Sequence, residues 1–183
     1  KENGIKVEFD SANLPDPSIA EGAPKIDVGK MAVMHFANNI AYGSGEGLSA
    51  WYLMEKDTHG RYSVLQDSIF WNNATGLHIP YSRQTVLTNL KVIFAKTDDI
   101  FPRDEGIRNN GLTRDIVFDN LTVQGYRFGI NAPRRGNSVI NGGYFDNRWD
   151  ILVYSGAGRN LLITGMQHEP TILMTPDMRG IVG

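Results

Sequence analysis

Leu65-Gln66-Asp67-Ser68-Ile69-Phe70, Leu87-Thr88-Asn89-Leu90-Lys91-Val92 and Phe118-Asp119-Asn120-Leu121-Thr122-Val123 are three versions of one phrase. Each opens on an apolar residue, places Asp or Asn two positions later, and closes on an apolar residue three positions beyond that. Val139 to Tyr144 fits the frame around Asn141, as does Phe36 to Ala41 around Asn38. Leu161 to Met166 fits too, with Ile163 in place of the polar residue. From Asn38 to Ile163 the frame advances by 29, 22, 31, 21 and 22 residues. A unit of about 22 residues that tolerates insertions marks a solenoid of stacked coils.

A second ladder runs beside the first. Gly47-Leu48, Gly76-Leu77, Gly106-Ile107, Gly129-Ile130 and Asp150-Ile151 each pair a small or turn-forming residue with an aliphatic, and Ile172-Leu173 is a weaker sixth. The aliphatics step by 29, 30, 23, 21 and 22 residues, so the insertions move while the rest keeps register. One coil then holds three short strands, with inward residues stacked on their counterparts and Gly, Asn or Asp at the corners. The reading is an all-β chain: a right-handed parallel β-helix of about six coils with an irregular N-terminal cap. Chance alternation in a β-sandwich is the competing account, but it does not preserve three apolar columns at once. The corner Asn and Asp residues are expected to be buried, bonding their amides to adjacent coils.

Residues 1–34 lack the ladder and are expected to cap the solenoid or pack along its side, with one alternating strand at Ile5 to Phe9. Residues 35–175 hold the coils, and 176–183 form a tail. The start at Lys1 and the end at Gly183 read as a module cut from a longer protein. With 183 residues, 41% of them hydrophobic, and 20 glycines, the chain can fill a narrow core and turn often. A net charge of −2 argues against a nucleic-acid groove or a polybasic membrane patch. The absence of cysteine removes disulfides and thiolate chemistry. Asn73-Ala-Thr and Asn120-Leu-Thr match the glycosylation pattern, but a ladder position for Asn120 predicts burial.

Stacked units of this form, apolar-x-Asn-x-x-apolar followed by Gly-aliphatic, resemble the right-handed parallel β-helix repeats of the pectate-lyase-like superfamily over residues 35–175. The resemblance implies a chain that binds or acts on polysaccharide, of plant or algal cell-wall type, in an extracellular or cell-surface setting. No run maps residue by residue onto a lyase calcium site or a paired-aspartate hydrolase motif. The expectation is therefore a non-catalytic carbohydrate-binding module, monomeric, with no nucleic-acid or membrane partner and no cofactor. An enzyme on the same fold (uronan lyase, epimerase or glycoside hydrolase) and a structural or adhesive β-helix are the alternatives.

Alternation assigns the outward side chains. After each inward aliphatic of the third strand come Ser49, His78, Arg108, Asn131 and Leu152, and two residues further stand Trp51 and Tyr154. Trp51, His78, Arg108, Asn131 and Tyr154 would form a stripe for an extended glycan, with Trp149 at a loop tip as a further stacking residue. A plain solvated face is the alternative. The second strand presents Trp71, Ile93, Gln124 and Phe145, for which coverage by residues 1–34 is expected. For catalysis, His78 or Tyr81 would act as base or acid, and Lys96, Arg103, Arg108 or Arg134 would neutralise a uronate. Asp98, Asp99, Asp104 and Glu105 would supply carboxylates. The acidic residues of the insertion 96–105 also leave calcium open, although salt bridging within that loop is the simpler account. The histidines lack metal-ligand spacing.

Overall fold

The computed structural model describes residues 5–8, 32–53, 61–95, 105–109, 112–154 and 160–175. After β1 (Ile5–Glu8), the chain winds through coils of three strands each. The first is β2 (Phe36–Ala37), β3 (Ile40–Tyr42) and β4 (Glu46–Trp51); the second is β5 (Ser63–Gln66), β6 (Ile69–Trp71) and β7 (Thr75–His78). The third is β8 (Arg83–Thr88), β9 (Lys91–Ile93) and β10 (Glu105–Arg108); the fourth is β11 (Arg114–Asp119), β12 (Thr122–Gln124) and β13 (Phe128–Asn131). The fifth is β14 (Ser138–Asn141), β15 (Tyr144–Asp146) and β16 (Trp149–Tyr154), and the sixth contributes β17 (Leu161–Thr164) and β18 (Ile172–Thr175). They form three sheets of seven, six and five strands, in the orders β1-β4-β7-β10-β13-β16-β18, β17-β14-β11-β8-β5-β2 and β15-β12-β9-β6-β3. Every pairing is parallel. The protein is a parallel β-helix solenoid.

Its core is a set of columns. Leu65, Leu87, Phe118 and Ile140 stack on one wall; Phe70, Val92, Val123 and Phe145 on the next; Leu48, Leu77, Ile107, Ile130 and Ile151 on the third, all buried. Each such side chain removed from water contributes about 1.5–3 kcal/mol, and the stacking continues that burial from rung to rung.

The observed register corrects the sequence frame in its last two units. Val117 pairs with Val139 and Phe118 with Ile140, so the inward residue of coil five is Ile140 rather than Val139. Gly142 then takes the corner in place of Asn141, and Phe145 turns inward in place of Tyr144. Phe145 is thus core, and Asp146 is the true partner of Gln124. Coil six shifts likewise, with Ile163 opposite Ile140 and Ile172, not Leu173, opposite Ile151. The reason for the slip is visible in Val139-Ile140, where both the outward and the inward place are apolar and alternation loses its contrast.

The corner residues also differ from expectation. Asn38, Asp67, Asn89 and Asn120 are exposed, with φ of 59°, 50°, 52° and 49°, and Gly142 and Gly165 continue the column at 66° or close to it, 65° and 66°. They occupy the corner because Asn, Asp and Gly accept the left-handed region, and their amides form an outside ladder. Asn89 Nδ2 donates to Asp67 Oδ1 at 3.2 Å and Asn120 Nδ2 to Asn89 Oδ1 at 2.9 Å. Of the two glycosylation-type matches, Asn120 is therefore the exposed one and Asn73 the buried one.

The inter-coil amide role belongs to Asn73 and Asn147 at the opposite corner. Asn73 accepts from Ser44 N–H and donates to Ala41 O, both at 3.1 Å. Asn147 accepts from Tyr126 N–H at 3.1 Å and donates to Val123 O at 2.8 Å. Gly47 makes room for the first: a Cβ there would lie 2.7 Å from Asn73 Nδ2. Tyr126 fills the same corner between them, edge-on to Phe94, with its hydroxyl donating to Asn73 O at 3.1 Å. Burial holds its phenol well above the ordinary tyrosine range.

β1 pairs with β4, Ile5 beside Leu48, and so adds a rung to the N-terminal edge of the seven-stranded sheet. The expected covering of the second-strand face by the rest of residues 1–34 rests largely on residues outside the described set. On that face Tyr42 and Trp71 are 54% and 53% exposed.

Asn120→Gly is expected to change stability by less than about 0.5 kcal/mol, and Asn120→Val to cost about 1–2 kcal/mol, because a β-branched residue resists positive φ. Urea unfolding distinguishes them; equal losses would mean that the outside amide ladder carries the corner.

Alkali gives a second check. Tyr126 ionises in the folded chain only above the pH at which an unfolded tyrosine does, so its contribution is full below about pH 10 and is lost as the pH rises. Tyr126→Phe is expected to cost about 1 kcal/mol at neutral pH while flattening the alkaline decline. An unchanged slope of stability against pH would contradict this.

Candidate functional site

The outer face of the seven-stranded sheet carries polar groups that the solenoid itself does not require. Ser49 pairs with His78 and His78 with Arg108, and Asn131 pairs with Leu152. Because Ile107 pairs with Ile130, Arg108 and Asn131 are neighbours as well. The five residues thus stand in one column on consecutive rungs, about 4.8 Å apart. A second column, three residues earlier at the start of the same strands, holds Glu46, Thr75, Glu105, Phe128 and Trp149.

This column is recessed. His78 is 7% and Asn131 3% exposed, and Ser49 and Leu152 are buried too. The expected open floor is therefore corrected: Trp51, Arg108 and Tyr154 are the half-exposed members, and the groups between them lie below the surface.

Contacts knit the columns together. His78 Nδ1 lies 2.8 Å from Glu46 Oε1, so an ionised Glu46 keeps the proton on Nδ1 and orients the ring. Trp51 sets its edge against that ring at 5.6 Å and donates its indole N–H to Ser49 Oγ at 2.9 Å. Tyr52 and Tyr81 stack at 5.1 Å beside it. Both adopt left-handed φ, 59° and 55°, which swings the two rings out at the end of the sheet. Two rungs on, Glu105 accepts from Arg108 Nε and from Asn131 Nδ2, each at 3.3 Å. Asn109 Nδ2 donates to Asn131 O at 2.7 Å and fixes the backbone there. Asn131 Oδ1 is buried with no hydrogen-bond partner among the described residues. Arg134 lies over the Tyr154 ring at 3.9 Å.

Sequence reasoning thus named Trp51, His78, Arg108, Asn131 and Tyr154 correctly as neighbours on one face. It misplaced Trp149, which begins β16 opposite Phe128 and is half-buried rather than at a loop tip. Tyr81 joins the Trp51 cluster at 6.2 Å. Lys96, Asp98, Asp99, Arg103 and Asp104 lie outside the described residues. Glu46 was not singled out, and Glu105 and Arg134 were named as a candidate carboxylate and a candidate neutralising group rather than as part of this face. The first two carry a signal that was available, since Glu-Gly-aliphatic occurs at both Glu46-Gly47-Leu48 and Glu105-Gly106-Ile107. Among the described residues no group of three or more His, Asp or Glu is placed to hold a metal ion.

No protein-family model, curated protein or solved structure matches the chain. Among the described residues no helix is long and apolar enough to cross a membrane.

Asn131→Leu should test whether this amide serves the fold. Removing a buried, unpaired carbonyl returns desolvation free energy while forfeiting one long bond to Glu105, so the loss is expected to stay below about 1 kcal/mol. A loss of about 3 kcal/mol or more in urea unfolding would make Asn131 structural.

Proposed function

We propose that the protein binds polysaccharide along the outer face of its seven-stranded sheet, as a non-catalytic, extracellular or cell-surface module of the pectate-lyase-like kind. One observation carries the reading: Asn131 presents a buried acceptor with no partner among the described residues, in line with His78 and Arg108 and flanked by half-exposed aromatics. A recessed acceptor to which the described residues bring no donor suits a ligand that supplies its own. Sugar hydroxyls supply donors, and sugar C–H faces stack on Trp51 and Tyr154. A sugar residue and a rung are of similar length, so successive residues of an extended glycan meet successive rungs. The scaffold is preformed, which limits the ordering entropy lost on binding.

The Glu46–His78 pair favours a second reading. A carboxylate-oriented imidazole beside Arg108 has the parts to take a proton next to a uronate carboxylate, as an eliminating or epimerising enzyme would. In that reading Glu46 and Glu105, two rungs or about 10 Å apart, frame the site.

Affinity electrophoresis in gels containing xylan, galactomannan, polygalacturonate or alginate tests both. Retardation by at least one polymer, without new reducing ends or an unsaturated product, is the expected result. Trp51→Ala and Asn131→Leu should each weaken it about tenfold or more with an unchanged melting temperature. Product formation would establish the enzymatic reading, and no retardation by any polymer would overturn both.

A further inference from the structure

One corner of the solenoid gathers like charges. Arg114 pairs in register with Arg83 on one side and Arg135 on the other. On the far side of Arg83 the run ends, since Arg83 N–H bonds Leu53 O of the preceding coil at 2.9 Å. Three arginines therefore occupy one place on three consecutive rungs, a span of about 10 Å. Arg135 is exposed, Arg83 is half-buried, and the Arg114 side chain is 41% exposed. Each of the three precedes a residue with left-handed φ: Gln84 at 49°, Asp115 at 56° and Gly136 at 70°. That turn breaks the alternation which would otherwise carry the arginines into the core, since Thr85 and Ile116, two residues on, are fully buried.

Like charges directly opposite on neighbouring strands destabilise a sheet. The chain as a whole carries a net charge of −2, so the column is not a by-product of a basic composition. Asp115 lies 4.0 Å from Arg114 Nε, the outer limit of an ion pair, and its Oδ1 is engaged by Asn137 N–H at 2.8 Å. The column also borders the recessed face: Arg135 follows Arg134, which covers Tyr154, and lies four residues beyond Asn131, whose Oδ1 is buried without a partner among the described residues.

We propose that this arginine column is an anion-reading edge of the glycan face, and that the ligand is an acidic polysaccharide carrying one carboxylate or sulfate per rung. The inference rests on the polysaccharide reading above and narrows it. Guanidinium groups recognise such anions with two parallel N–H donors, and a rung repeat close to the length of a sugar lets each arginine address one residue of the chain. The anions relieve the repulsion within the column, which makes binding salt-sensitive.

The experiment measures binding of the full chain to polygalacturonate, dextran sulfate, neutral xylan and a single-stranded oligodeoxynucleotide, each at low and moderate salt. At least one acidic polysaccharide should bind at least about tenfold more tightly than xylan and lose affinity as salt rises. The double variant R114Q/R135Q should abolish that preference with a melting temperature equal to or above that of the parent, and R148Q, an exposed arginine off the column, should change nothing. Xylan bound as tightly as the acidic polymers, or an R114Q/R135Q variant that keeps the preference, overturns the arginine inference and leaves the polysaccharide reading standing. Equal binding of the oligonucleotide also overturns it, in favour of a general polyanion surface. Failure to bind any of the polysaccharides overturns the reading on which it rests.

Discussion

Register between coils is the constraint from which the rest of this structure follows. Strand backbones pair along the solenoid axis, each residue of a rung with one of the next, so a side chain that faces inward must lie on another that does the same. An insertion is tolerated only where the chain can leave a coil and return to the same place. The fold obeys this at Leu53 and Arg61, where the offset to the next coil falls from that of Leu53 beside Ser82 to that of Ser63 beside Thr85. Columns on either side of the insertion remain aligned.

Two kinds of corner satisfy that constraint differently. At the Asn89–Asn120 corner the requirement is conformational: positive φ, met by Asn, Asp or Gly, with side chains left in water to bond one another. At the Asn73–Asn147 corner the requirement is one of hydrogen bonding, because backbone groups turned inward need partners. There a glycine of the preceding strand yields space to the carboxamide, as Gly47 does for Asn73 and Gly129 for Asn147. Tyr126 meets the same demand with a hydroxyl on the Asn73 carbonyl.

These differences set what was legible in the chain. The columns were readable because period-two alternation and a repeated Gly-aliphatic pair survive in coil after coil, and six coils follow from them. Whether an Asn faces in or out was not, since left-handed φ and buried amide bonding select the same residue type. The slip at Val139 has a related origin. Val64, Val86, Val117 and Val139 form an outward column of β-branched residues, favoured by strand geometry whether or not they are buried. Alternation named the neighbours of the functional face, since register does not depend on exposure. It missed their depth, because neighbouring side chains that shield His78 and Asn131 come from positions far apart in sequence.

The outer face is free to specialise because the columns beneath it carry the fold. Leu77 and Ile130 are fully buried whichever residue follows them, so His78 and Asn131 answer to no packing requirement of the core. Both insertions join the solenoid at the borders of that same sheet, one leaving after β4 and the other returning at Glu105, the first residue of β10. The arginine column occupies a third border, between Tyr81 or Arg134 and the start of the six-stranded sheet. Polar residues, insertion points and like charges thus converge on one side of the molecule. The five-stranded sheet, by contrast, offers Tyr42 and Trp71 with no recessed polar partner described beside them. A face that concentrates costs the fold does not need is the one on which a ligand has the most to repay.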